Sequence, residues 1–428
     1  MTSATAASSA ALQSDRSLRP SARIDSLDFV RGVVMILMAI DHVRVYSGVP
    51  AGGPTPGVFF TRWITNFVAP GFVFLAGTAA YLYGRKRNNP AALSKFLLTR
   101  GLWLVFLELT VLRVAWTFNF DFGHYMLAGV IWMIGWSMVA MALLARAPIL
   151  VNAIGGGAII ALHNITDLFR PQLAQMYAQH DPNWFLRLVY FGGEVQLGPS
   201  GPPLLILYVI VPWIGVMMAG YAFGAVMTMS MERRRSICLK LGAALTLAFI
   251  LLRALDVYGD PRPWRERPSP DAASRSAQQT ANPSTPRPRS PMPPALAFLN
   301  TTKYPASLSF LLMTLGPMFL LLGFSESLDG KLSRIVTTFG RVPMFYYLLH
   351  IPLIHFAACI VSLVREGHVN AWLFANHPLA PGRPPQGYMW SLGLLYLVYG
   401  ISVVALYFPC RWFAEQRSQR ASPWLSYL

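Results

Sequence analysis

The residues best suited to chemistry in this chain stand close together near its start. In the stretch SLDFVRGVVMILMAIDHVRVY, Arg31 is followed eleven residues later by His42, with Asp41 beside it and Asp28 one turn before Arg31. At about 100° per residue, eleven residues make roughly three helical turns, so Arg31 and His42 share a face about 16 Å apart along the axis. The stretch between them is apolar and includes Met35 and Met38. Ionisable side chains at membrane depth cost about 2.5–3.5 kcal/mol each on insertion scales and face a bundle interior or a wet cavity. Two of them on one face, at different depths, describe a lined path with an anion-binding end and a proton-handling end. Arginine stays charged and its fork of donors suits oxyanions, although an arginine near the headgroups also simply snorkels. Histidine titrates near neutrality, so His42 is the candidate general base, with Asp41 as its catalytic neighbour. The plainer alternative for His42 is a helix-end ring bonded to a carbonyl. Asp41 lies about 100° round the helix and needs help from another element to orient that ring.

A second polar segment is TFGRVPMFYYLLHIPLIHF, residues 338–356. Arg341 stands at its start, a second candidate for holding phosphates. His350 and His355 lie deeper and are candidates for lining a substrate cavity, with packed, hydrogen-bonded histidines as the alternative. They are five residues apart, roughly 140° round a regular helix, so they do not chelate a metal together, and no metal site is expected. Tyr346 shares a face with His350, and Pro352 kinks the helix beside both histidines. A third segment, FLNTTKYPASLSFLLMTLGP, offers Asn300, Lys303 and Tyr304 as hydrogen-bonding groups for a polyol, with Pro305 expected to begin the next helix. Glu108 and the Asp121–His124 pair read as structural ion pairs or polar lining rather than catalysts.

These residues must be positioned by membrane helices. Of the 428 residues, 54% are hydrophobic and only 12% charged, about half the charge of a soluble chain. The fold expected is all-α, a polytopic transmembrane bundle of about ten helices, at roughly 27–47, 59–83, 97–117, 124–145, 148–163, 202–229, 236–254, 304–324, 339–363 and 388–408. The net charge of +17 sits mainly in short loops and one Pro-rich insert, so it reads as topology and not as a nucleic-acid surface. Arg85, Lys86, Arg87, Lys95 and Arg100 follow the second span; Arg233, Arg234, Arg235 and Lys240 follow the sixth; Arg411, Arg417 and Arg420 close the chain. All fall on one side if both termini are cytoplasmic.

Residues 1–22, rich in Ala and Ser, read as a disordered cytoplasmic tail and not a signal peptide, because the apolar run that follows is too long for one. Residues 256–303 read as a Pro/Arg-rich disordered loop dividing one transmembrane domain into parts at 23–255 and 304–428. The loop at about 164–201, with Trp184, Phe185, Tyr190 and Phe191, suits an interfacial helix, a lid or an aromatic anchor. Cys238, Cys359 and Cys410 are too scattered for a disulfide framework or zinc site.

The segments RIDSLDFVRGVVMILMAIDHVR, FVAPGFVFLAGTAAYLYGR, FLNTTKYPASLSFLLMTLGP, GRVPMFYYLLHIPLIH and CRWFAEQRSQRASPWLSYL resemble bacterial proteins grouped with the heparan-α-glucosaminide N-acetyltransferase catalytic domain. The resemblance extends over nearly the whole chain except the insert and the extreme N-terminus. The wider superfamily of membrane acyltransferases shares an Arg in the first span with a His at the same eleven-residue offset, which makes Arg31 and His42 the implied essential pair. One departure stands out: the lysosomal enzyme uses a histidine before its second span, and GVFFTRWITNFVAPG has none. The resemblance implies a multi-pass protein of the bacterial inner membrane. It would carry acetyl from cytoplasmic acyl-CoA, a co-substrate and not a bound cofactor, to a saccharide acceptor outside, with a homodimer left open. The rival is a transporter or permease using the same Arg and His residues as a pathway. A serine hydrolase is not supported, since no Gly-x-Ser-x-Gly elbow occurs.

Overall fold

The structure, a computed structural model, describes residues 24–53, 55–124, 126–169, 172, 184–265, 292–375 and 384–419. The tail expected at 1–22 and the middle of the expected insert lie outside these residues. The chain forms an all-α polytopic helical bundle. Its main helices are α1 (Asp25–Ser47), α2 (Pro56–Trp63), α3 (Val68–Arg87), α4 (Pro90–Leu107), α5 (Arg113–Thr117), α6 (Val130–Leu144) and α7 (Ile149–Leu162). They continue with α8 (Val211–Phe223), α9 (Met231–Leu255), α10 (Pro294–Leu299), α11 (Leu308–Ser325), α12 (Lys331–Arg341), α13 (Pro343–Glu366) and α14 (Leu392–Gln419).

Each of the ten helical regions expected from the sequence has a counterpart. Among the described residues, seven helices are long and apolar enough to cross a membrane, starting at Pro56, Ile149, Val211, Met231, Leu308, Pro343 and Leu392. Of the other three, α6 is only 15 residues long, and α1 carries Asp25, Asp28, Arg31, Asp41 and Arg44. α1 is nonetheless the axis of the fold. Its buried positions run round its whole circumference, from Ser26, Leu27 and Val30 to Val43 and Tyr46, because α3, α11, α12, α13 and α14 surround it. A helix covered on every side belongs in a core, and its charged residues are paired there, Arg31 with Asp28 and Arg44 with Asp41. Beside it, Phe74, Phe223 and Phe319 interlock three spans with ring centroids 4.9–5.3 Å apart.

Lipid gives no hydrophobic drive between helices, so close packing over small residues takes its place. Gly77 and Gly220 bring α3 and α8 into backbone contact, and Gly101 and Gly135 do so for α4 and α6. α1 and α12 meet the same way: a Cβ on Gly32 would lie 2.0 Å from the Val336 carbonyl oxygen, and one on Gly340 would lie 1.8 Å from that of Asp28.

The structure corrects several element boundaries. Residues 338–356 do not form one helix, because α12 ends at Arg341 and α13 begins at Pro343. Val342 between them is non-helical (φ −132°, ψ 51°), as the clash with a following proline favours. α12 is amphipathic, burying Val336, Thr337, Phe339 and Gly340 while Lys331, Arg334 and Arg341 face outward. The span expected at 202–229 starts only at Val211, since Pro203–Ile206 forms β3. β3 pairs in parallel with β1 (Met126–Ala128) and antiparallel with β2 (Gly193–Gln196). That small sheet takes the place of part of the expected lid and of the start of the helix expected from 124. Pro305 does not begin α11; Ser307 caps it, its Oγ accepting from Phe310 N at 3.1 Å.

Glu108 shows how the bundle satisfies a buried terminus. It opens a widened turn, Glu108–Leu112, joining α4 to α5. Its carboxylate, on a residue 1% exposed, accepts from Ile131 N (2.8 Å) and Trp132 N (3.1 Å) at the start of α6. Helix N-termini carry unpaired N–H groups and partial positive charge, and this carboxylate answers both. Glu108 is thus a helix cap from a neighbouring span.

Candidate active site

His42 meets a partner from the far end of the sequence. Its Nδ1 lies 2.6 Å from Nε2 of His350 on α13, and the two rings stack with centroids 4.8 Å apart. His350, fully buried, places its own Nδ1 2.6 Å from the Tyr347 carbonyl and 3.2 Å from that of Tyr346. A carbonyl only accepts, so His350 Nδ1 carries the proton and, in the neutral ring, Nε2 is the acceptor. His42 Nδ1 therefore donates to it, which leaves the lone pair of His42 on Nε2. The edge of Trp116 closes against the His42 ring at 4.9 Å, and Trp116 is held by its carbonyl accepting from Tyr46 Oη at 2.6 Å. His42 itself is half-buried. The arrangement is an imidazole fixed through Nδ1, which leaves Nε2 as its basic nitrogen.

Arg31 and Arg341 come together at one end of the bundle. With Arg100 and Arg417 they line a cavity of about 310 Å³, whose walls are apolar: Leu75, Ile131, Ile134, Met138 and Met344 among them. Tyr347 also lines it, so the cavity leads from four arginines to the turn of α13 whose carbonyl fixes His350. Arg31 Nη1 donates to Asp28 Oδ1 (2.8 Å) and to the Gly340 carbonyl (3.1 Å). Arg417 Nη1 donates to the Arg341 carbonyl at 3.1 Å. Arg85 and Lys86 from the next loop, with Arg234, line an adjoining cavity that also includes Arg31. Cations from all three basic segments, Arg85, Lys86 and Arg100, Arg234, and Arg417, thus line these two adjoining cavities.

On the other side of His42 stands a charged cluster. Asp41 Oδ1 accepts from Arg44 Nε at 2.8 Å, and Oδ2 lies 3.4 Å from Arg62 Nη1 of α2. The Arg62 guanidinium sits over the Tyr304 ring, 5.6 Å from its centroid, and Tyr304 Oη lies 3.4 Å from Tyr208 Oη. Lys303 is buried beside Tyr304 and acts electrostatically on both Asp41 and His42. Burial holds its ammonium below the ordinary lysine range, Tyr304 opposing the shift and Arg62 adding to it.

The Lys303 turn is braced from behind. Asp260 accepts from Thr302 N (2.8 Å), Thr302 Oγ1 (2.7 Å) and Ser307 Oγ (3.0 Å). Arg253, 2% exposed, donates to the carbonyls of Phe298 (3.0 Å), Asn300 (3.2 Å) and Arg262 (3.0 Å). Both flanks of the segment expected to be disordered, 256–265 and 292–303, are therefore ordered, and they hold Lys303 in place.

Two candidates stand apart. Asn300 is exposed and lines a separate cavity of about 640 Å³ with Arg262, Trp264 and Arg265. His355 is sandwiched between Tyr46 (4.6 Å) and Phe118 (3.9 Å), with Nδ1 3.3 Å from the Ala115 carbonyl. Sequence reasoning missed Arg62, Arg100, Arg417 and Tyr208. Arg62 carried a readable signal, as a charge far from the terminal Arg85, Lys86 and Arg87 of the apolar span Pro56–Arg87. The described residues hold no group of three or more His, Cys, Asp or Glu able to hold a metal, and all three cysteines are free thiols.

No curated protein matches the chain. Residues 23–258, more than half of the chain and including Arg31, Asp41, His42 and Arg62, match the family model described as heparan-alpha-glucosaminide N-acetyltransferase, catalytic, and the chain belongs to this family of transmembrane acetyltransferase-like proteins.

Proposed function

We propose that the protein transfers an acyl group, acetyl in the first instance, from acyl-CoA to a hydroxyl or amine of a saccharide, either a glycan or a lipid-linked sugar. The observation that carries this reading is a cavity rimmed by four arginines that reaches Tyr347, the residue whose carbonyl fixes His350, the partner of His42. Acyl-CoA combines phosphates with a long, largely apolar thioester arm. Arg31, Arg100, Arg341 and Arg417 suit the phosphates, and the apolar walls suit the arm. His42 Nε2 takes the proton of the acceptor hydroxyl or amine as that atom attacks the thioester carbonyl. The tetrahedral adduct collapses, the C–S bond breaks, and the imidazolium returns its proton to the leaving thiolate. His350 is a positioning residue in this scheme, since it touches His42 and not the substrate. An acyl-histidine formed on Nε2 is the two-step variant of the same chemistry.

In this reading the arginine end is cytoplasmic, where acyl-CoA is found, and the acceptor approaches from the opposite side of a bacterial inner membrane. Reporter fusions after Asn89 and after Asp256, at the ends of helices that run in different directions, should then report opposite sides. The decisive assay uses purified protein with labelled acetyl-CoA. Saturable binding, with slow thioester hydrolysis that depends on His42, supports the enzyme. Uptake of a solute into proteoliposomes without any dependence on CoA overturns it in favour of a carrier.

A further inference from the structure

Resting on the acyl-transfer reading, we propose that the acceptor saccharide carries an anionic group, a phosphate or a carboxylate, and that Lys303 and Arg62 receive it beside His42. The charges do not balance without one. Arg44, Arg62 and Lys303 bring three cations to this place, and among the described residues Asp41 is the carboxylate that acts on Arg62 and on Lys303. Asp41 is already shared between Arg44 and Arg62. The other nearby carboxylate, Asp260, is turned to the back of the loop, where Thr302 and Ser307 bond it and Arg253 lies 3.9 Å away. Unbalanced charge out of water is costly unless it is paired, so a cluster two cations in excess calls for an anion.

The place is reachable and rigid. The Arg62 and Asp41 side chains keep 24% and 17% of their surface, and His42 beside them is half-buried. Lys303 bridges back to Ala306 within a turn anchored on Asp260. A flexible surface lysine would lose rotamer freedom on binding, whereas this one is held before the ligand arrives. A guanidinium and an ammonium at one mouth suit a phosphate or carboxylate, while the adjacent hydroxyls of Tyr304 and Tyr208 suit the sugar that bears it. Attack by a neighbouring hydroxyl or amine of the same sugar then falls to His42.

The test measures binding to the purified full-length protein by calorimetry, with glucose 1-phosphate, glucuronate, glucose and dodecyl phosphate as probes and acetyl-CoA measured in parallel. Both anionic sugars should bind at least about tenfold more tightly than glucose, the difference expected for one charge-assisted bond to a held cation. Lys303→Gln should erase the preference and Lys303→Arg keep most of it. Competition of dodecyl phosphate with glucose 1-phosphate at the Lys303-dependent site assigns the phosphate to a lipid-linked saccharide, and lack of competition assigns it to a free one. If acetyl-CoA binds but glucose equals the anionic sugars, or Lys303→Gln keeps the preference, this inference is overturned while the acyl-transfer reading stands. If acetyl-CoA does not bind, that reading falls and takes the inference with it.

Discussion

Replacing His350 by Phe tests whether the histidine pair works as a unit. An aromatic ring is kept against Tyr346, Tyr347 and His42, but a C–H replaces the acceptor 2.6 Å from His42 Nδ1, so the bond is lost and the larger ring pushes the two side chains apart. A buried donor left without its acceptor costs about 1–3 kcal/mol. If that cost falls on the reacting orientation of His42, each 1.4 kcal/mol is roughly tenfold in rate, giving a loss of about 10–100-fold in kcat. His42→Ala removes the base itself and should cost about 10²–10⁴-fold. The double variant should then be no slower than His42→Ala alone, because a positioning residue has nothing left to position. His350→Gln, which offers an acceptor oxygen near the lost Nε2, should recover part of the rate. The assay is acetyl-CoA turnover in proteoliposomes, with KM for acetyl-CoA followed separately and folding checked by thermal melting. Losses that multiply in the double variant would refute the reasoning, as would a His350→Phe protein that loses acetyl-CoA affinity at unchanged kcat.

Further outcomes follow from the same geometry. Arg31→Ala should raise KM for acetyl-CoA more than it lowers kcat, and Arg31→Lys should restore it only in part, since an ammonium lacks the guanidinium fork; an unchanged KM would remove Arg31 from the donor site. Glu108→Ala leaves two buried N–H groups of α6 unsatisfied and should cost about 2–6 kcal/mol of stability, read as a large fall in melting temperature, with Glu108→Gln much milder. Replacing 266–291 by a short flexible linker should preserve expression and turnover. Extending that deletion to 262–294 should lower stability, because Trp264 Nε1 donates to the Arg253 carbonyl at 2.6 Å and Arg262 Nε to Thr302 Oγ1 at 3.0 Å. Burial depresses the Lys303 pKa, so its charge is lost at a lower pH than an ordinary lysine's. Anion binding should therefore weaken as pH rises into the alkaline range, and binding there should take up protons, measurable by calorimetry in buffers of different ionisation heat. A pH-independent affinity would argue against Lys303 as the receiving group.

The sequence made the helices legible because length and hydropathy are local properties. The Arg31–His42 offset was legible for the same reason, since both residues lie on one helix. The His42–His350 contact was not, because 308 residues separate the two and periodicity is silent about which helix will face which. The strands Met126–Ala128 and Pro203–Ile206 escaped notice because three or four residues carry too little alternation to compete with the apolar runs around them. Pro343 disfavours helical backbone at Val342, but Pro317, Pro352 and Pro409 each sit inside a continuous helix, so a proline alone does not tell a break from a tolerated position. Lys303 and Tyr304 were legible as polar residues at the mouth of a span, but their charge partner Arg62 lies on α2, and the cluster exists only once the loop folds back on Asp260.

Arg31 and Arg341 each adjoin a glycine, Gly32 and Gly340, and those glycines press the backbones of α1 and α12 together without room for a methyl group. The Arg31 guanidinium even bonds across the seam to the Gly340 carbonyl. This part of the cavity's doorway is therefore framed by two jambs that share one wall, and sliding of α12 along α1 cannot widen it. In the acyl-transfer reading, a donor then enters past the arginine side chains of a rigid frame. An alanine at either glycine would spread the frame itself and, in the acyl-transfer reading, weaken donor binding while leaving every arginine in the sequence.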